Sequence, residues 1–155
     1  MVPEMLQDDL VEEMKRLFAE DRFKTPSGER IPINVYAQSL PMYESDDDDD
    51  PAPYIIVRLV DGEDSGTSDS NHSVKVLYVI GIFDDDLKNQ GHRDVLHIIN
   101  NIYERFMTDP NLNNKYVCDG PFLWEVQDDA YHPYFFGAVK MSFNVPAIRR
   151  EDKFI

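Results

Sequence analysis

The sequence predicts an α+β domain. Two amphipathic helices lie on one face of a mostly antiparallel or mixed sheet of about five strands, a two-layer sandwich. Two stretches with apolar residues at spacings of three and four carry the helices, and several stretches of period-two alternation carry the strands. The order is helix, three strands, helix, two strands, with no internal repeat. The 155 residues fit one domain, 1–155, long enough to bury a core without staples.

Residues 4–20 read as the first helix. Leu6, Leu10, Val11, Met14, Leu17 and Phe18 share one face. Glu4, Asp8, Asp9 and Glu12 precede Lys15 and Arg16, an order that complements the helix dipole. KTPSGER, 24–30, then breaks the pattern with Pro26 and Gly28. IPINVYAQSL, 31–40, sets Ile31, Ile33, Val35 and Ala37 against Asn34, Tyr36 and Gln38. That is a half-buried strand, and Pro32 places its start at a sheet edge or at the first residues of the strand.

A flexible acidic loop is expected at about 41–53, with Asp46, Asp47, Asp48, Asp49 and Asp50 in a row. YIIVRLV, 54–60, is rich in β-branched residues and reads as the second strand. DGEDSGTSDSNH, 61–72, reads as a second flexible polar loop. SVKVLYVIGIF, 73–83, is a long strand with Val74, Val76, Tyr78, Ile80 and Ile82 on one face. Leu77, Val79 and Phe83 make the other face partly apolar. Strands 54–60 and 73–83 are expected to pair antiparallel.

The second helix runs through NQGHRDVLHIINNIYERFMTDP. Val95, Leu96, Ile99, Ile102, Tyr103 and Phe106 form its stripe, Asn89 is a candidate N-cap, and Asp109-Pro110 stops it. KYVCDGPFLWEVQ, 115–127, reads as one strand kinked at Asp119-Gly120-Pro121. YFFGAVKMSFNVP, 134–146, alternates, with Phe135, Val139, Met141, Phe143 and Val145 on one face. A charged tail, 147–155, closes the chain.

The formal net charge is −15, from 15 basic and 30 acidic residues. Such a surface repels phosphate backbones and anionic membranes, which disfavours nucleic-acid binding; plain solubility accounts for the same excess. Cys118 stands alone, so no internal disulfide forms, which fits a reducing compartment. No apolar run reaches the roughly 18–20 residues needed to cross a bilayer. The N-terminal stretch, acidic from residue 4, does not read as a signal peptide.

No catalytic or metal constellation emerges from the spacings. Cys118 sits beside Val117 in a strand and reads as a buried structural thiol. His92 and His97 are five apart, on different helix faces, and no zinc-like spacing occurs. Phosphate loops and nucleophile elbows are absent. Calcium is the best chemistry for the acid runs. However, residues 61–72 lack the alternate ligands of a calcium loop and end on His72 instead of glutamate, and Asp46 to Asp50 has no turning glycine. No cofactor, metal or enzymatic reaction is expected. An acidic protein can also mimic nucleic acid, but here the charges cluster in loops instead of along a helix face.

NQGHRDVLHIINNIYERF, 89–106, next to YVIGIFDDD, 78–86, resembles tail-terminator proteins of long-tailed bacteriophages. In that family a strand ending in acidic residues leads into a Gly-(aromatic or His)-Arg-Asp segment and a helix. HPYFFGAVKMSFNVPAIRRED, 132–152, is similar to the family's last strand. The pattern covers roughly 53–150.

The resemblance implies a structural subunit of a ring, typically a hexamer, on the tail tube. The ring ends tube growth and gives the filled head its joining surface. Its partners are other copies, the tail-tube protein and a head-completion or connector protein. DNA passes the lumen without specific binding, and no membrane is involved. The place is the head-proximal end of the virion tail, with assembly in the host cytoplasm. Six copies of a −15 chain carry about −90, a wall that repels DNA.

A heterologous ring needs two unlike faces on each subunit. Candidate interface residues are Tyr36, Arg58, Asp61, Glu63, Asp64, Arg93, Lys140, Arg149 and Arg150. Arg93 alternatively pairs locally with Asp84 to Asp86, and Arg149 and Arg150 alternatively stand as solvated charges. Two other functions remain open: another head–tail connector, or an acidic, nucleic-acid-mimicking binding module.

Overall fold

The computed structural model describes residues 2–42, 51–67, 72–127 and 131–146. The elements begin with α1 (Val2–Leu17), β1 (Phe23–Lys24), β2 (Arg30–Ile31), β3 (Asn34–Ala37), β4 (Tyr54–Asp64) and β5 (His72–Phe83). They continue with α2 (His92–Thr108), β6 (Asn111–Leu112), β7 (Tyr116–Cys118), β8 (Leu123–Val126) and β9 (Tyr134–Val145). The class is α+β, as expected. The main sheet has seven strands where about five were expected, in the order β3-β4-β5-β9-β7-β6, with β8 also paired to β9. The pair β1–β2 forms a separate small hairpin.

Strand β5 is central because both its ladders are long. It pairs antiparallel with β4 and, along its whole length, with β9. The alternation read from the sequence holds: Val74, Val76, Tyr78, Ile80 and Ile82 are buried, as are Val139, Met141, Phe143 and Val145. These residues meet Leu6, Leu10 and Met14 of α1 and Val95, Ile98, Ile99, Ile102 and Phe106 of α2 in one core. Phe106 packs edge to face on Phe143, with ring centroids 5.4 Å apart. Gly137 lets α2 approach β9: a Cβ there would lie 2.5 Å from Val95 Cγ1 and 3.1 Å from the Glu125 carbonyl oxygen.

A second, smaller apolar cluster modifies the two-layer expectation. Ala52, Tyr54, Ile56 and Phe83 are buried together, with Tyr36, Leu40, Val79, Tyr134 and Phe136 packed on them. Tyr54 and Ile56 alternate with Ile55 and Val57 of the main core, so this cluster lies on the opposite face of the sheet. Leu40 and Ala52 bring the two ends of the 38–53 connection onto it.

That connection has a topological cause that periodicity could not reveal. Strands β3 and β4 are parallel, with Asn34 opposite Tyr54 and Ala37 opposite Val57. Parallel neighbours need a crossover of about a dozen residues or more, so the chain must return between them. Asp46 to Asp50 and the tail 147–155 lie outside the described residues.

Other boundaries shift for physical reasons. Both ends of the expected 61–72 loop are ladder: β4 runs to Asp64, opposite His72, past an irregularity between Leu59 and Asp61. The first helix ends at Leu17 instead of residue 20. Asn89 does not cap α2. It sits in the left-handed region at φ 55°, and Gly91 holds the cap position without a side-chain bond. The kinked strand 115–127 is two strands, β7 and β8. They are separated at Gly120 (φ 98°), and both lie along one edge of β9.

Candidate functional site

The titratable groups are dispersed. Among the described residues no three His, Cys, Asp or Glu side chains are placed to hold a metal ion. Cys118 is half-buried, less enclosed than the structural thiol expected. Burial and the neighbouring Asp119 push its pKa up to about 11, so it stays a thiol at neutral pH. His97 Nε2 lies 3.2 Å from Asp21 Oδ2, and His132 Nδ1 lies 3.2 Å from Asn89 Oδ1. No nucleophile stands beside either ring among these contacts.

The start of α2 gathers acid at the end of β5. Asp84 and Asp86 accept from the backbone N–H groups of Asp86 and Lys88. Asp85 pairs with Lys24 of β1, which lowers its pKa and raises that of the lysine. Arg93 does not pair with these aspartates. Its Nε donates to Gln90 Oε1 at 3.3 Å. Burial, and then the charge of Asp84, raises the pKa of Asp94 in the first turn.

The residues singled out from the sequence do not converge on one site. Tyr36 is on β3, at the sheet edge, and Arg58 is on the adjacent β4, where its Nε donates to the Gln38 carbonyl at 3.1 Å. These two share an edge. Asp61, Glu63 and Asp64 form the exposed far half of β4, on a strand and not in a loop. Lys140 is on β9 near the opposite edge, lining a shallow depression of about 210 Å³ with Leu77, Leu123, Trp124, Glu125 and Ala138. Arg93 stands apart at α2, and Arg149 and Arg150 lie outside the described residues.

Sequence reasoning missed an apolar surface beside β8. Trp124 is 58% exposed, Tyr103 47% and Leu96 38%. Phe122 joins them, its ring edge-on to Tyr103 at 5.2 Å. With Ile99 and Asn100 they line a depression of about 370 Å³. The helical period puts Leu96 and Tyr103 in the apolar stripe of α2. The sheet covers only the Val95, Ile98, Ile99, Ile102 and Phe106 side of α2, which leaves these two outside. The usable signal was the width of that stripe, together with the protein's single tryptophan on a short strand.

A second depression lies at the β3 edge. Phe18, Ala19, Pro32, Ile33, Asn34, Val35 and Tyr36 line about 410 Å³, with Lys15 at the rim. It opens where α1 ends and β3 begins, because the 18–33 segment leaves the sheet to form the β1–β2 hairpin.

The chain matches no protein-family model, and a search of the curated proteins gives no match.

Proposed function

We propose that this chain is a structural, ring-forming tail terminator of a long-tailed bacteriophage. It caps the tail tube, stops its polymerisation and offers the joining surface for the head. It catalyses no reaction and uses no cofactor. Its partners are further copies of itself, in a ring that the family resemblance implies is a hexamer, the tail-tube protein and a head-completion or connector protein. DNA passes the lumen unbound, held off by the −15 charge of each copy. The working place is the head-proximal end of the virion tail, after assembly in the host cytoplasm.

One observation carries this reading. The residues behind the resemblance meet in space: the acidic end of β5, the Gly91–Asp94 turn, the start of α2 and the start of β9. Phe83 of β5 is opposite Tyr134 of β9, the Asp84 N–H donates to the Pro133 carbonyl at 2.9 Å, and Phe135 closes over Gly91. The two unlike sheet edges add support, since a closed ring joined head to tail needs two different faces on every subunit.

Electron microscopy of tails made without the protein tests the reading. Overlong tubes are the expected result. Tubes of normal length that lack heads point instead to a connector. Normal, headed tails, together with recovery of one basic host protein on the chain, point to an acidic binding module.

A further inference from the structure

Besides the two-residue terminal strand β6, the main sheet presents edges of different kinds at β3 and β8. At the β3 edge the Asn34 N–H donates to the Pro53 carbonyl at 3.1 Å and the Gln38 N–H to the Val57 carbonyl at 2.8 Å. Even-numbered residues therefore face β4, and Val35 between them turns its N–H and carbonyl outward. At the β8 edge the Gln127 N–H donates to the Phe136 carbonyl at 3.0 Å, and Glu125 is paired with Ala138. Trp124 and Val126 therefore turn their backbone groups outward.

Each edge adjoins one of the two depressions, and the two are complementary. Beside β8 the surface projects Trp124, Leu96, Tyr103 and Phe122. Beside β3 the groove is recessed and floored by Phe18, Ile33 and Val35. Neither lining contains a carboxylate, although the chain has 30 acidic residues. Copies of a −15 chain repel one another over most of their surface, so contact is least opposed where acid is missing. The rims have opposite sign: Glu125 flanks Trp124, and Lys15 borders the groove. Among the described residues Lys15 is held by an exposed Glu12 contact of 3.6 Å, a weak pair that yields easily.

We propose that these are the two halves of one contact between copies of this chain. The β8 edge of one copy, anchored by Trp124, seats in the β3–α1 groove of the next. Backbone groups of Trp124 and Val126 meet the open edge at Val35, Trp124 fills the apolar recess, and Glu125 meets Lys15. An isologous pairing of two β8 edges would set Glu125 near its own copy and leave the groove empty. The contact rests on the ring reading and names its lateral interface.

The single tryptophan makes this testable in the intact chain. Light scattering follows assembly at high concentration and on tail tubes, while acrylamide quenching follows access to Trp124. A Trp124→p-benzoylphenylalanine variant is photo-crosslinked, and the joined peptides are identified by mass spectrometry. The expected result is a severalfold drop in quenching on assembly, with crosslinks to residues 15–19 or 32–36 of another copy. Trp124→Asp, exposed and so expected to melt like the parent, should remain monomeric. Rings in which Trp124 stays as accessible as in the monomer overturn the contact while leaving the ring reading intact. So do rings formed by Trp124→Asp, or crosslinks between two β8 edges. A strict monomer in solution and on tubes overturns both.

Discussion

Arg105 of α2 donates from Nε to Glu13 of α1 at 2.6 Å, tying the two helices together above the sheet. Arg16 reaches the same carboxylate from α1. Arg105 also donates to the Asp109 and Asn111 carbonyls at the end of its helix, and its guanidinium lies 4.7 Å from the Phe106 ring centroid. Glu13 is only 8% exposed, so its charge depends on these partners.

Arg105→Ala should therefore destabilise the fold by about 2–3 kcal/mol, because a largely buried carboxylate loses one of two cations and two carbonyls lose a donor. Urea unfolding at neutral pH measures this. Arg105→Lys should recover little, since an ammonium cannot reproduce the planar fork.

The same carboxylate sets part of the acid response. Burial raises the pKa of Glu13, but hydrogen bonds and charge from Arg16 and Arg105 outweigh it, so the pKa falls below the usual 4.5. A group whose folded pKa is lowered stabilises fully above its unfolded value. That contribution drains as pH falls through the folded value. Glu13→Gln should flatten the loss of stability on the acid side of about pH 4.5. Parallel curves of unfolding free energy against pH for the two proteins would contradict it.

Tyr78 is fully buried, and its hydroxyl meets no hydrogen-bond partner among the described residues. Burying an unpaired hydroxyl is unfavourable, and phenylalanine keeps the ring. Tyr78→Phe should be neutral to stabilising by about 1 kcal/mol in thermal or urea unfolding. A marked loss of stability would show that the hydroxyl has a partner.

Gly137 is required by close approach, not by backbone angle. Gly137→Ala places a methyl against Val95 and should cost about 2 kcal/mol by overpacking. Val95→Ala in the same chain should restore part of that loss, a coupling that a double-mutant cycle reads directly.

Replacing Asp46 to Asp50 by asparagine lowers self-repulsion by five charges while keeping the length of the connection between the parallel strands β3 and β4. Stability should change by no more than about 0.5 kcal/mol. Assembly should need less salt than in the parent, since screening and charge removal act on the same repulsion. Sizing across a salt series compares the two.

The legible parts of the fold were those with a strong period. Val74 to Ile82 and Val139 to Val145 alternate without interruption, and both helices show an apolar stripe, so most of the core is legible, although the α2 stripe includes the exposed Leu96 and Tyr103 and leaves out the buried Ile98. Pairing direction has no period, so the parallel β3–β4 pair stayed hidden. Asp61 to Asp64 look like loop residues. They are strand because β5 continues opposite them, a tertiary cause. The two-residue strands β1, β2 and β6 likewise depend on their partners. For the candidate site, the sequence reads Tyr36, Arg58 and Lys140 as exposed strand residues, but its periodicity does not say which sheet edge each adjoins. Trp124 carries no signal of its own, because its strand of four residues is too short for a period to assign its face.

Tail-tube growth in the presence of the purified chain tests the central claim most directly. Tube protein is polymerised with increasing amounts of the chain, and lengths are measured by electron microscopy. The terminator reading predicts that growth halts, with a ring of density at one end of each arrested tube. Tubes that grow to the same length at every concentration, with bare ends, would contradict it.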